Sequence, residues 1–269
     1  GTSGLHLAVL AAGVRPGDYV VTTPFSFIAS ANCVLYAGGV PIFVDVDPAT
    51  GNIDPGAAAE AVDRIARAQP EGKRWLPPKL RARLRRPDAL RLRAVLPVHA
   101  FGQPADLDPL MATAVAYGLA LIEDACEAVG ATYKSSQAGT FGNASVFAFY
   151  PNKQITTGEG GMLLTDDPSV DELFRSLRNQ GRDNAGTWLN HVRLGYNYRL
   201  DELSAALGLA QTERAAEILA KRQRVADRYA DRLASIGGVK APYPVAYTTR
   251  MSWFVYVVRL QRPNREQVI

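Results

Sequence analysis

The sequence predicts an α/β protein: a mostly parallel central sheet with helices on both faces, followed by the start of a smaller α+β unit. Two observations carry the sheet. Up to about residue 165, short apolar runs alternate with segments of helical periodicity, and those segments are closed by glycine. Strand–helix alternation of this kind favours parallel strands covered on both sides. The third observation is a change of pattern. The strand signal fades after residue 166, helix formers take over, and an aromatic, β-branched run appears after Gly237-Gly238.

In chain order, the apolar runs Tyr19–Thr22, Ile42–Val46, Ala94–Val98, Ala120–Glu123, Val146–Phe149 and Met162–Leu164 are expected as strands. Leu5–Ala12 before Gly13, Ile28–Ala37 before Gly38 and Leu107–Tyr117 before Gly118 are expected as helices. Val170–Arg178 and Asp201–Leu233 also read as helices, the second open to a break. Trp253–Val258 reads as a strand. Residues 1–237 are thus expected to form one large domain with a helical extension, and 238–269 the opening of a truncated small domain.

Composition narrows the class. Of 269 residues, 47% are hydrophobic and 21% charged, which suits a globular chain and is too apolar for a disordered one. The charge-free run Pro109–Ile122 falls short of the roughly 20 residues that cross a bilayer, and no basic-then-apolar leader opens the chain. No membrane partner is expected. Cys33 and Cys126, the only cysteines, make neither a disulfide framework nor a zinc site, so a reducing cytoplasm fits. Between Arg64 and Arg93, eleven Lys and Arg stand against Glu71 and Asp88, a net +9; the chain total is +4, leaving −5 for the rest. Trp75 is the only aromatic in that run. A nucleic-acid binder would spread its charge along a face and interleave aromatics, so the insert reads as a solvated excursion and no nucleic-acid partner is expected.

Ligands of parallel sheets sit beyond the carboxyl ends of the strands, so chemistry is sought just after the apolar runs. Four segments qualify. Gly1-Thr2-Ser3-Gly4 leads straight into a helix, where free backbone N–H groups, hydroxyls and the helix dipole suit a phosphate; a plain N-cap is the alternative. In Leu121-Ile122-Glu123-Asp124-Ala125-Cys126-Glu127, a strand ends in acids, and Asp124 could pair with a ring cation or cap a turn. A metal is disfavoured because no His-rich ligand set is nearby. The third runs from Phe147 to Gly161. Lys153, the only Lys or Arg between Lys134 and Arg175, follows an apolar strand and precedes Thr157-Gly158-Glu159-Gly160-Gly161. A lysine in a partly dry site suits Schiff-base chemistry, and the glycines admit close approach of a ligand. The fourth is the polar-aromatic loop Leu194–Leu203.

Taken in order, these segments resemble the nucleotide-sugar aminotransferases of the DegT/DnrJ/StrS type, fold-type-I enzymes that depend on pyridoxal 5′-phosphate. The resemblance extends through Thr23–Asn32, Phe43-Val44-Asp45-Val46-Asp47 and Pro97-Val98-His99, nearly the whole chain. It implies that Lys153 holds the cofactor and shuttles a proton, and that Asp124 pairs with the pyridinium nitrogen. It implies that Thr2 and Ser3 hold the phosphate, that Phe27 stacks on the ring, and that Asn197 reaches the phosphate of a partner subunit in a homodimer with a shared active site. Glu127 stands where many relatives carry Gln beside the phenolic oxygen. An anionic Glu would repel a phenolate there, so Glu127 is expected to be protonated or turned to another donor. Ala148 stands where many relatives carry a phosphate-binding Ser.

Tyr150 could line the sugar pocket or simply close a strand, and Arg182 could meet a carboxylate or diphosphate or sit exposed at a helix end. His99 reads as a packing histidine. The insert could approach a nucleotide diphosphate, although its spacing fixes nothing. The resemblance implies transfer of an amino group, usually from glutamate, to a ketone of a nucleotide-linked deoxysugar, giving an amino sugar for polysaccharide, lipopolysaccharide or antibiotic synthesis. A cyclitol ketone aminotransferase and a non-catalytic regulatory or scaffold relative stay open as alternatives. Sugar dehydratase relatives replace the lysine with His, so Lys153 counts against that branch.

Overall fold

A computed structural model describes residues 1–85, 91–183 and 189–261. Its main sheet has six strands: β1 (Tyr19–Thr22), β2 (Val40–Phe43), β3 (Leu92–Val95), β4 (Ala120–Asp124), β7 (Ala144–Ala148) and β8 (Gly161–Leu164). They lie in the order β2-β1-β3-β4-β7-β8. All neighbours are parallel except β7 and β8. The hairpin β5 (Thr132–Tyr133) and β6 (Ser136–Gln137) pairs with β10 (Thr248–Arg250), while β9 (Val239–Lys240) pairs with β11 (Arg259–Leu260).

Period-two alternation sorts the strand residues into two cores. Tyr19, Val21, Ile42, Val95 and Leu121 pack on one face with α3 (Pro55–Ala66) and α4 (Leu107–Tyr117). Val20, Ala94, Leu96, Ile122 and Val146 pack on the other with α1 (Thr2–Ala11), α2 (Ala29–Tyr36) and α5 (Pro168–Arg178). The α/β class with a mostly parallel, two-sided sheet is therefore what the chain adopts. Glycine does close α4, at Gly118 with φ +62°.

The expected helix over 201–233 is two helices, α6 (Glu202–Glu213) and α7 (Ala215–Leu233), broken at Arg214. Trp253–Val258 is not a strand. Its start is tied sideways instead: Ser252 N–H donates to Gly102 O at 2.8 Å, and the Trp253 indole N–H to Gln223 Oε1 at 2.8 Å. β-propensity without a neighbouring ladder does not make a strand.

The basic insert joins the sheet at the amino end of β3, the edge opposite the carboxyl ends of the strands. Arg91 and Arg93 both pair with the buried Asp18 there, at 2.8 and 3.0 Å. Arg91 and Arg93 thus lie away from the edge where a ligand of this fold sits. No described helix is long and apolar enough to cross a membrane.

Candidate active site

The carboxyl edge gathers residues from six segments. Asp124 is the last residue of β4 and is buried. The ladder to Val146 and the bridge to Val98 fix its backbone. Its carboxylate accepts from Ser30 Oγ at 2.7 Å and from Cys126 N–H at 3.2 Å. Ser30 has one proton, and the carboxylate takes it. In the Ser26–Ser30 contact of 2.7 Å, Ser26 must therefore be the donor. This relay from the start of α2 has no counterpart in the sequence reading. Its only local signal is two serines one helical turn apart.

Lys153 sits in the loop after β7. Its backbone N–H donates to Tyr150 O at 2.9 Å. The side chain is 12% exposed, and Nζ lies 3.5 Å from Glu127 Oε1 and 4.1 Å from the centre of the Phe254 ring. The other Glu127 oxygen accepts the Phe101 N–H at 2.8 Å. Phe101 adopts φ +59°, the left-handed region, within the short turn Ala100–Gly102. Burial pushes the Glu127 carboxyl up; the Phe101 amide and the Lys153 charge pull it back, and the charge of Asp124 raises it further. Glu127 thus feels both Lys153 and Asp124, so the three charged groups share one neighbourhood.

The amino end of α1 meets the same edge. Its first turn has no side-chain cap, and Thr2 and Ser3 are exposed. The helix start lies so close to the sheet that a Cβ on Gly161 would stand 2.9 Å from Gly1 N and 2.7 Å from Phe147 O. Only glycine lets these backbones approach.

The remaining expected positions scatter. Phe27, 73% exposed, stands just before α2; its carbonyl accepts the Ser30 N–H. Tyr150 is half exposed on the lysine loop. Asn197 is exposed and bridges in backbone to Asn179, between Tyr196 and Tyr198, whose rings stack 5.1 Å apart and pack on His6. Arg182 is half-buried beyond α5 and bridges in backbone to His191. His99 is fully buried: Nδ1 accepts the Ala105 N–H at 3.1 Å, and Nε2 meets Glu123 at 3.0 Å, in keeping with a packing role.

The residue set fits a pyridoxal phosphate. An uncapped helix end with two exposed hydroxyl residues suits a phosphate dianion, a buried carboxylate suits a ring cation, and a primary amine suits a carbonyl carbon. Ala148 brings no hydroxyl.

Comparison with known proteins agrees with this geometry. The chain is 42% identical to the GDP-perosamine synthase of Caulobacter vibrioides, a match covering 100% of the chain and 66% of that protein. It is 33% identical to the UDP-2-acetamido-2-deoxy-3-oxo-D-glucuronate aminotransferase of Pseudomonas aeruginosa, again over 100% of the chain and 66% of the relative. The crystal structure of a DegT DnrJ EryC1 StrS aminotransferase from Brucella abortus superposes with a TM-score of 0.83 at 31% identity, covering 100% of this chain and 65% of that one. The chain thus spans just under two thirds of the length of these relatives. The model of the DegT/DnrJ/EryC1/StrS aminotransferase family matches residues 1–269, and the chain belongs to that family.

Proposed function

We propose that the protein carrying this chain transfers an amino group to a ketone on a nucleotide-linked sugar, with pyridoxal 5′-phosphate as cofactor and L-glutamate as donor. The observation that carries the reading is the meeting of a buried carboxylate, Asp124, and a secluded amine, Lys153, at one sheet edge beside an uncapped helix start. The fold and the family are those of pyridoxal-phosphate-dependent aminotransferases, and similar proteins bear the names of nucleotide-sugar enzymes.

When bound, the cofactor supplies a conjugated cationic ring that accepts the electron pair released as a C–H bond breaks. The chain's own residues do the rest. Asp124, held by Ser30 and Cys126, keeps a negative charge where the ring nitrogen must stay protonated. Lys153 Nζ carries the proton that leaves the amine-bearing carbon of the donor and the proton that the acceptor carbon takes up. Glu127, with one oxygen on the Phe101 amide, turns the other to Nζ and pairs with its protonated form. Thr2 and Ser3 would hold the phosphate, Phe27 would stack on the ring, and Tyr150 and Arg182 would meet the sugar nucleotide. Asn197 serves the site of a partner subunit in a cytoplasmic homodimer.

An absorbance spectrum tests the core of this reading. The full-length chain mixed with pyridoxal phosphate is expected to turn yellow, borohydride to fix the label on Lys153 by peptide mass, and Lys153→Ala to abolish the band. A colourless wild-type protein defeats the proposal.

A further inference from the structure

Arg222, in the middle of α7, has no part in the reading above, and its surroundings are unusual. The side chain is half-buried, and burial holds its guanidinium below the ordinary arginine value. Its hydrogen bonds go to carbonyls. Nη1 donates to Trp253 O at 2.9 Å and Phe254 O at 3.1 Å, and Nη2 donates to Lys153 O at 3.1 Å. A planar fork of fixed donors can hold two segments in one geometry, which a flexible ammonium cannot.

The two segments it joins also face each other through side chains. The ring of Phe254 lies 4.1 Å from Lys153 Nζ, well within cation–π range. Arg222 therefore grips the backbone beneath both partners of that contact. Neighbouring bonds restrict the same strap. Gln154, next to the lysine, donates to Ser252 Oγ at 2.8 Å, and Ser252 N–H donates to Gly102 O at 2.8 Å. A Cβ on Gly102 would fall 1.5 Å from Ser252 O, so the segment 251–254 crosses at the closest approach a backbone allows.

We propose that Arg222 is a positioning residue that locks the Lys153 loop to the 252–254 strap, and that Phe254 is the aromatic wall it holds against the lysine amine. The ring covers one side of Nζ and keeps water from it, while Glu127 faces Nζ as its acidic partner. The inference rests on the reading of Lys153 as the reactive amine.

The test uses the full-length chain without cofactor. Lys153 is acylated with limiting acetic anhydride and quantified by peptide mass spectrometry, with the exposed Lys134 as internal standard. Arg222→Met and Phe254→Leu are each expected to speed Lys153 labelling about three- to fivefold relative to Lys134, the ratio a lost cation–π contact implies. The double variant is expected to match the faster single variant, because both act through one contact. Arg222→Lys should restore part of the protection. With cofactor and substrates, Arg222→Met should lower kcat while KM for the sugar nucleotide stays within about twofold. Unchanged labelling in Phe254→Leu overturns the proposal even if Arg222→Met does not fold. A wild-type protein that stays colourless with pyridoxal phosphate would sink the functional reading, whereas the labelling ratio, measured without cofactor, judges the clasp by itself.

Discussion

Asp124 keeps a carboxylate where charge is costly, and its two donors are what make that tolerable: the Ser30 hydroxyl at 2.7 Å and the Cys126 amide at 3.2 Å. An amide in its place would keep the shape and one acceptor but lose the charge. Asp124→Asn is therefore expected to bind pyridoxal phosphate yet slow the half-reaction with glutamate on the order of 10²-fold or more, measured by single-turnover absorbance. Unchanged kinetics would refute the role given to the carboxylate. Glu127 offers a test through pH. Its carboxyl lies above the ordinary 4.5, mainly through burial, so the folded state binds that proton more tightly than the unfolded chain does. Its contribution to stability is then complete below the ordinary carboxyl range and is lost as pH rises through the raised value. Glu127→Gln should remove this loss, so that the variant gains on the wild type as pH rises from about 4 in thermal unfolding scans. A parallel pair of pH profiles would contradict it. Asp124 and Lys153 were legible in the sequence because each follows an apolar run and Lys153 has no cationic neighbour for many residues. Ser30 was not, since a serine inside an apolar helix 94 positions away gives no sign of which carboxylate it will meet.

A buried acid gathers the backbone of the loop feeding β7. Glu123 accepts N–H groups from Gly139 at 2.8 Å, Phe141 at 2.7 Å and Gly142 at 2.8 Å, and meets His99 Nε2 at 3.0 Å. Burial alone would raise its carboxyl. The bond from His99 Nε2 and the Gly139 and Gly142 amides reverse this and hold it below the ordinary range. Glu123→Gln would turn an amide NH₂ toward donors and leave at least one of them unmet. We expect a loss of about 2–4 kcal/mol in urea unfolding, with the His99 anchor loosened as well. A loss under about 0.5 kcal/mol would show that the loop is held by other means. At this scale the sequence was uneven. β1 and α4 fall on their expected residues, because both have clean ends. Helix α3 is not among the expected helices although its signals are present: Asp54 caps the Ala57 N–H, Pro55 opens the helix, and Ala58, Ala61, Val62 and Ile65 form one buried face. Its alanine-rich start hid the face, since alanine adds little apolar contrast. Trp253–Val258 misled in the other direction, because aromatic composition cannot say whether a run finds a strand to pair with or a helix and a lysine loop to lie across.

At the scale of the whole molecule, a paired basic edge and an uncovered apolar helix face stand out. The basic insert enters at the amino edge of the sheet, where Asp18 takes up two of its arginines. Exposed apolar side chains are prominent on α6 and its neighbours. Helix α6 has no buried residue, yet carries Leu203 at 87% exposure and Leu209 at 64%; Leu194 and Ile28 are also exposed. Gly208 and Gln211 of α6 face the Lys153 loop, whereas the face that carries Leu203 and Leu209 is uncovered, and a second copy of the chain is the partner the proposed shared site requires. Asn197 lies between Leu194 and α6 in sequence, exposed and unconnected to the Lys153 cluster by any hydrogen bond among the described residues, which suits a residue that serves the other subunit. The arrangement predicts complementation. Full-length Lys153→Ala and Asn197→Ala proteins should each be nearly inactive as homodimers. When the two are unfolded together and refolded at equal amounts, mixed dimers receive one site with both defects and one with neither, and random pairing gives about one quarter of the wild-type sites. Activity should return to that level, and co-purification through a tag on one variant should raise it to about one third, because about two thirds of the retained dimers are then mixed. If each site draws Lys153 and Asn197 from the same chain, mixing restores nothing, and the tagged fraction is as inactive as its parents.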